Sequence, residues 1–312
     1  MFFIEIKKRK RRRVQTINLV LLYFRDREEE MRKKSLWVNL LAIAMLFVFF
    51  VGPSFAETIT FGIYTSDKPT VMYQKFKPII DYLQDRITQN GSNAAVKMRI
   101  FPSYTAAVDA LVAGNVDFMR FGPASYIMAK DRNENIRLLA MEHKKNKKRF
   151  YGVFVVTKNS PVNSINQLKG KSFAFGNKNS TIGRYLSQAE LVKAGIRSAD
   201  LSKYDFLGRH DKVALAVAVG NYDAGVVKEN TFKKYAESKG LKKIAQFPNV
   251  TKPWAVRAGF DDNLFAILQQ ALLELKDKKT LKALKQDGFL VAKDSDYDFV
   301  RQGMRLSEEF GD

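Results

Sequence analysis

Between Thr58 and Phe121 the chain alternates between short strand-forming runs and longer segments whose apolar residues recur at helical spacing. No other feature limits its fold as much. Thr58 to Ile63 predicts a strand ending at Tyr64, and a helix follows from about Met72, with Phe76, Ile79, Ile80, Leu83 and Ile87 on its buried face. Val96 to Phe101 predicts a second strand, Ser103-Tyr104 opens a helix that stops at Gly114, and Val116 to Phe121 predicts a third strand. Strands that alternate with helices form a parallel sheet, whose ligands sit beyond the carboxyl ends of the strands. Tyr64, Tyr104 and Phe121 fall at or near such ends. The β-rich run Phe150 to Val156 is followed by a second alternation: Lys171 to Phe175, Tyr204 to Leu207, a helix from Asp211 to Val219, and Ala224 to Val227. Lys243 to Phe247 and Trp254 to Ala258 then lead back to helices at Leu264 to Lys276 and Thr280 to Lys285. The expected fold class is α/β with two lobes. Residues 57–150 and 254–312 form lobe 1 and residues 151–253 form lobe 2, with hinge crossings near 151–156 and 248–254.

Within the second alternation, Phe173 to Phe175 runs into Gly176, Asn177, Lys178 and Asn179, and a helix then carries Tyr185, Leu186, Ala189 and Val192 on one face until Gly195. Asn179, Ser180 or Thr181 can cap that helix, because each has a short side-chain oxygen able to accept from the free amides of the first turn. Such a turn aims several N–H groups and two hydroxyls at one point, where the helix dipole favours negative charge. Oxyanion binding is one reading, and simple capping explains the same residues. A phosphate-binding P-loop is excluded. Six residues separate Gly176 from Gly183 where that motif has four, and Arg184 and Tyr185 stand where it needs Lys and Ser or Thr.

Met31-Arg32-Lys33-Lys34-Ser35, the apolar run Leu36 to Val51, and small residues at Ser54 and Ala56 predict a secretory signal peptide over 31–56, cleaved after Ala56 into the periplasm. Residues 1–30, with the basic block Lys7 to Arg13, are expected to be an upstream extension that is not native, translation starting at Met31. The chain has 53 basic and 32 acidic side chains; residues 1–56 hold 12 and 5 of these, leaving 41 and 27 and a surplus of 14 positive charges. Outside the cytoplasm that surplus favours a small anionic ligand over nucleic acid. Cysteine is absent, so no disulfide and no lipid-anchoring cysteine is expected. No spacing suits a metal, and no cofactor is expected.

Gly208-Arg209-His210-Asp211 opens a second helix and repeats the geometry of the first turn, offering amides with an imidazole alongside. By itself His210 reads as a capping or surface residue before it reads as a ligand group, since the chain has only two histidines and no paired ligand spacing. His143, in what reads as the basic loop Glu142 to Arg149, is expected at the surface. Together, Asn179-Ser180-Thr181-Ile182-Gly183, Gly208-Arg209-His210-Asp211, Ala214 to Ala218, Asp223-Ala224-Gly225-Val226, Gly114 to Phe118 and Phe121 to Tyr126 resemble the phosphate/phosphite/phosphonate-binding family of ABC-transporter periplasmic proteins. The likeness runs over nearly all of residues 57–300.

The resemblance implies a type II periplasmic-binding-protein fold, two α/β lobes closing on a ligand between them. It implies that Ser180, Thr181 and His210, with the backbone of Ile182, hold phosphonate oxygens, that Tyr151 lies at the hinge, and that Phe121, Tyr64 and Tyr104 close over the ligand. Ile182 stands where the family often has a second Ser, and Phe121 where a Tyr is common. Lys252 stands where aminophosphonate binders tend to place an acid, and Glu229 or Asn230 lies where a second acid is expected. A smaller or non-aminated oxyanion, or a more apolar ligand with an anionic head, fits these residues. The implied partner is an inner-membrane ABC permease and the expected state a monomer. The competing reading is a ligand-sensing module feeding a membrane receptor or kinase. No catalytic residues are expected, since Ser180 and His210 lack a local orienting group and a nucleophile-elbow pattern.

Overall fold

The computed structural model describes residues 57–65 and 69–311, together with 25, 27, 30–34 and 36. The chain divides into two units, Met1–Phe55 and Ala56–Asp312. In the first unit the described residues are helical, with Lys34 and Glu30 3.5 Å apart one turn from each other. Most of the expected extension and of the expected signal peptide, including Ser54 and Ala56, lies outside the described residues.

The second unit opens with β1 (Thr58–Tyr64), α1 (Pro69–Gln89), β2 (Ala95–Phe101), α2 (Tyr104–Val112), β3 (Phe118–Arg120), α3 (Pro123–Arg132) and β4 (Arg137–His143). It continues through β5 (Arg149–Thr157), β6 (Ser172–Phe175), α4 (Leu186–Lys193), β7 (Lys203–Phe206), α5 (His210–Ala218), β8 (Ala224–Lys228), α6 (Glu229–Tyr235) and β9 (Leu241–Val250). β10 (Pro253–Val256), α7 (Asp262–Glu274), α8 (Lys278–Leu284), β11 (Gly288–Leu290) and α9 (Asp298–Glu308) complete it. The strands form two sheets, ordered β11-β4-β10-β3-β1-β2 and β7-β6-β8-β5-β9. In the first, β1 runs parallel to β2 and β3, while β10 returns antiparallel between β3 and β4. In the second, β6 is parallel to β7 and β8, and β5 is antiparallel between β8 and β9.

The periodicity reading of α1 holds in detail, since Phe76, Ile79, Ile80, Leu83 and Ile87 are all buried. They cover one face of the first sheet, where Trp254 of β10 lies fully buried with its ring 4.8 Å from Phe61, 6.4 Å from Phe76 and 5.4 Å from Phe289. This aromatic cluster ties the late strand β10 to the first strand of the unit.

Two expectations need correction. Glu142 and His143 do not sit in a basic loop at the surface: they end β4, His143 paired with Gly288 of β11 and Glu142 fully buried. The basic run Lys144 to Lys148 had masked that strand end. Nor does everything after residue 254 stay with the first sheet. α9 packs on α4 so closely that a Cβ on Gly303 would stand 2.4 Å from Leu186 Cδ2, and Phe310 enters the core beside Phe175 and Tyr204. The same C-terminal region touches α3, where Tyr126 donates to Asp294 at 2.7 Å. A third crossing, after β11, therefore joins the two sheets.

Truncating Trp254 removes the centre of the aromatic cluster. Trp254→Ala is expected to cost about 3–5 kcal/mol in urea unfolding, whereas Val219→Ala, on an exposed side chain, should change stability by no more than about 0.5 kcal/mol.

Candidate functional site

β6 ends at Phe175, and the turn that follows is unusual. The Gly176 amide donates to the Gly183 carbonyl at 2.8 Å, and a Cβ on Gly176 would lie 2.9 Å from the Gly183 Cα. Only two glycines allow backbones to meet this closely. The contact opens Thr181–Tyr185 into a wide π turn ahead of α4, a geometry that is common at functional sites. Ser180 is the cap, its Oγ accepting from the Gly183 amide at 3.0 Å, so among the three candidate caps the structure selects Ser180.

The first sheet supplies a facing helix start. Gly122 caps α3 with Pro123 in its first turn. The Gly122 amide donates to Tyr64 Oη at 2.6 Å, and the Ala124 amide donates to Thr181 Oγ1 at 2.9 Å, so Thr181 reaches across from one sheet's helix to the other's. Asn179 Nδ2 makes a second crossing contact to Thr105 Oγ1 at 2.9 Å. Tyr64 and Tyr104 stack with centroids 3.9 Å apart, and Phe121 adds a ring 6.4 Å from Tyr64. Burial raises both phenols above their ordinary value, so each is protonated and able to donate at neutral pH; a hydrogen bond to Ser180 partly offsets the rise at Tyr104. The structure thus brings Ser180, Thr181, Ile182, Tyr64 and Phe121 into one buried cluster, with the partly buried Tyr104 packed against it. Tyr151 is placed differently: it lies on β5 opposite Pro248 and is 38% exposed.

His210 opens α5. Burial, then the charge of Lys228, lowers its imidazole to about 3, and the Val226 carbonyl only partly opposes this. The ring is neutral at pH 7, and its buried Nδ1 has no hydrogen-bond partner among the described residues. Buried polar atoms are almost always paired, so an orphan nitrogen here points to a ligand group.

A basic cluster adjoins these residues. Arg120, ending β3, holds Glu142 through two bonds, Nε to Oε1 at 2.6 Å and a terminal nitrogen to Oε2 at 3.0 Å. Burial alone would raise the Glu142 carboxyl, but Arg120, Lys252 and Lys75 outweigh it and hold the group well below the usual carboxylate range. Burial and the charge of Arg120 lower Lys252 well below an ordinary lysine, and the same two causes bring Lys75 to about 7. Lys252 itself is half-buried. Lys75, Arg120, Glu142 and Lys228 escape a motif-based reading. Arg120 and Lys228 could have been found from position alone, because each ends a strand, and ligands of α/β sheets sit beyond the carboxyl ends of strands. Among the described residues no group of acidic or histidine side chains could hold a metal, and no helix is long and apolar enough to cross a membrane.

Residues 61–297 match the family described as ABC transporter, phosphonate, periplasmic substrate-binding protein. Over 206 residues the chain is 28% identical to the probable ABC transporter phosphite-binding protein PhnD1 of Prochlorococcus marinus, covering 62% of this chain and 66% of that one. Over 209 residues it is 29% identical to the phosphate-import protein PhnD of Mycolicibacterium smegmatis, covering 64% and 63%. The matched region thus spans about two thirds of these relatives. The fold superposes on the structure of Prochlorococcus marinus PhnD1 in complex with methylphosphonate with a TM-score of 0.73 and 23% identity, covering 81% of this chain and 99% of that one.

The basic cluster sets a pH dependence. Between about pH 7 and the ordinary lysine value near 10.5, the unfolded chain holds a proton at Lys75 that the folded chain has released, so stability rises with pH across that window. The groups that act on Lys75 are Arg120, Glu142, Lys228 and Lys285. The thermal midpoint in dilute buffer is expected to be higher at pH 9 than at pH 7, and Lys75→Met should shrink that rise. Glu142→Gln strands the buried guanidinium and should cost about 3–5 kcal/mol in urea unfolding at pH 7.

Proposed function

Because the chain belongs to the family of phosphonate ABC-transporter periplasmic substrate-binding proteins, we propose that it is a solute receptor that captures a phosphorus oxyanion or organophosphonate between its two sheets and delivers it to an inner-membrane ABC permease. One observation carries this reading: two helix starts, at Gly122 and at Ser180, face each other across the sheets with Thr181 spanning them and with the neutral, unpartnered His210 Nδ1 buried at the start of a third helix.

The chemistry follows from the donors. Amides at helix starts carry a partial positive charge and suit the oxygens of an anion. Ser180 and Thr181 can turn their hydroxyl protons to a stronger acceptor, and the Tyr64 and Tyr104 phenols remain protonated. The neutral His210 Nδ1 accepts from the P–OH of a singly protonated oxyanion. Charge-assisted hydrogen bonds contribute about 1.5–3 kcal/mol each, and a few of them reach roughly the micromolar range, about 8 kcal/mol. Because the donors come from both sheets, the ligand favours the state in which the sheets are drawn together. The crossings near 151–156 and 248–254 act as the hinge, with Tyr151 at its exposed edge.

Export completes the reading. The segment through Ala56 is removed as a signal sequence, and the receptor works in the periplasm as a monomer, with no part for nucleic acid. It binds without turnover. Ser180 Oγ is engaged by the Gly183 amide, and among the described contacts nothing joins it to His210, so no base stands ready to activate it.

Calorimetry on the protein recovered from the periplasm tests this with phosphate, phosphite, methylphosphonate and 2-aminoethylphosphonate. At least one is expected to bind in the micromolar range or tighter. Replacing Ser180 and Thr181 together by Ala should weaken that ligand by about a hundredfold or more. Silence from all four with a folded protein, or release of phosphate from a phosphomonoester, would overturn the assignment. N-terminal sequencing of the same sample should begin at Glu57.

A further inference from the structure

Beyond the oxyanion-holding helix starts, the cleft has a second pole built from cations. β3 ends in Arg120, β4 ends in Glu142, and β10 follows directly on Lys252, whose carbonyl accepts from the Glu142 amide at 3.1 Å. The antiparallel return of β10 therefore puts Arg120, Glu142 and Lys252 at the same sheet edge as Tyr64, the last residue of β1. From the second sheet, β8 brings Lys228 to its carboxyl end. α1 adds Lys75, one residue before Phe76, on whose ring the Arg120 guanidinium rests 5.1 Å from the centroid.

The only fully buried carboxylate among these described residues is already engaged. Glu142 accepts from Arg120 on both oxygens, from Trp254 Nε1 at 3.3 Å and from Gln286 Nε2 at 2.9 Å. That leaves Lys75 and Lys252. Among the described ion pairs neither has a carboxylate within 4.0 Å; their nearest recorded partners are the faces of Phe76, at 5.4 Å, and Phe150, at 4.4 Å. A ring face attracts a cation but does not neutralise it. Counting only Arg120, Lys75 and Lys252 against Glu142, the pole carries two surplus positive charges when both lysines are protonated, and the repulsion among them lowers their hold on those protons until an anion arrives.

The two poles are continuous. The Arg120 charge acts on Tyr64 and Tyr104 at one end and on Lys75, Lys252 and Glu142 at the other, and Lys252 and Lys228 both act on His210. Past Glu142, Gln286 lines an open cavity of about 430 Å³ shared with Lys144, Asn230, Lys282, Lys285 and Asp287. The Asp287 carboxylate is taken by the Lys145 amide at 2.8 Å. The organic end of a molecule held at the helix starts thus meets Lys252 and Lys75, with further lysines around the neighbouring cavity.

We infer that the substrate carries a second negative charge on its organic end, and that it is a short phosphonocarboxylate held by its phosphorus oxygens at Ser180, Thr181 and His210 and by its carboxylate at Lys75 and Lys252. The inference rests on the phosphorus-oxyanion reading of the first pole. A carboxylate two or three bonds from phosphorus supplies the counter-charge that Glu142 cannot, while an ammonium group at the same place would face the surplus directly.

Calorimetry at pH 7 and low ionic strength on the protein recovered from the periplasm decides it, with phosphonoacetate, 3-phosphonopropionate, methylenediphosphonate, methylphosphonate and 2-aminoethylphosphonate. One of the two phosphonocarboxylates is expected to bind about tenfold or more tighter than methylphosphonate, and 2-aminoethylphosphonate weakest. Lys252→Met and, separately, Lys75→Met should bring the ratio of phosphonocarboxylate to methylphosphonate affinity toward one. Methylphosphonate binding with no gain from the carboxylate, or with 2-aminoethylphosphonate equal or tighter, would overturn the second pole and leave the receptor reading intact. Methylenediphosphonate binding more tightly than both phosphonocarboxylates would overturn the carboxylate assignment in favour of a second phosphoryl group. Silence from all five would overturn both readings.

Discussion

The bidentate bond between Arg120 and Glu142 is the interaction on which the first sheet and the cleft both depend. It joins the ends of β3 and β4 across β10, the strand that separates them, and Trp254 on that strand donates to the same carboxylate. Two charges removed from water at this depth are a net gain only when their geometry is good and their remaining lone pairs are satisfied. Here Gln286, next to α8, supplies the last donor. A single carboxylate thereby fixes where three strands end, and strand ends are what an α/β sheet presents to a ligand.

The connection between the sheets follows from chain order. β5 leaves the first sheet to start the second, β10 returns, and after β11 the chain crosses a third time to lay α9 on α4. That last helix binds the π turn and α4 into the second sheet's core through Phe310 and the close approach of Gly303 to Leu186, while Tyr126 and Asp294 link its approach to α3. Both facing helix starts, at Gly122 and at Ser180, therefore rest on the same C-terminal segment. A helix that touches both starts is suited to keep them facing each other.

Much of this was legible in the chain itself. α1 was visible because five apolar residues at helical spacing outweigh its polar neighbours, and Ser180 because a capping side chain before an apolar helix has one physical use at minimum. β4 was not visible. Its core, Leu138 to Met141, is short, and the basic run after it reads as loop. α9 escaped for a different reason: its apolar residues are spread among Arg301, Arg305, Glu308 and Glu309, and which sheet it joins depends on tertiary contacts that no local pattern encodes. The second pole was missed because it is a property of strand ends from both sheets. Lys75, Arg120 and Lys228 are scattered over about half the chain, on α1, β3 and β8, and only tertiary structure brings them near Lys252.

The same gathering makes the charges informative. Lysines on an open surface cost nothing and report little, but burial and the charges of Arg120 and Lys228 weaken the hold of both Lys75 and Lys252 on their protons, and Lys75 adds to the effect at Lys252. Lys228, from the second sheet, already contributes to the lowering of both lysines, so under the proposed closure of the sheets on a ligand the repulsion is a cost of the closed arrangement more than of an open one. An anion that reaches this pole removes that cost only where it exists, in the closed state, and that difference in affinity between states is what lets a ligand move an equilibrium between them. An anion that satisfied the helix starts alone would bind and leave much of the repulsion in place. On the proposed reading, the half-buried cations couple the size and charge of the whole ligand, beyond its phosphorus head, to the closure of the sheets around it.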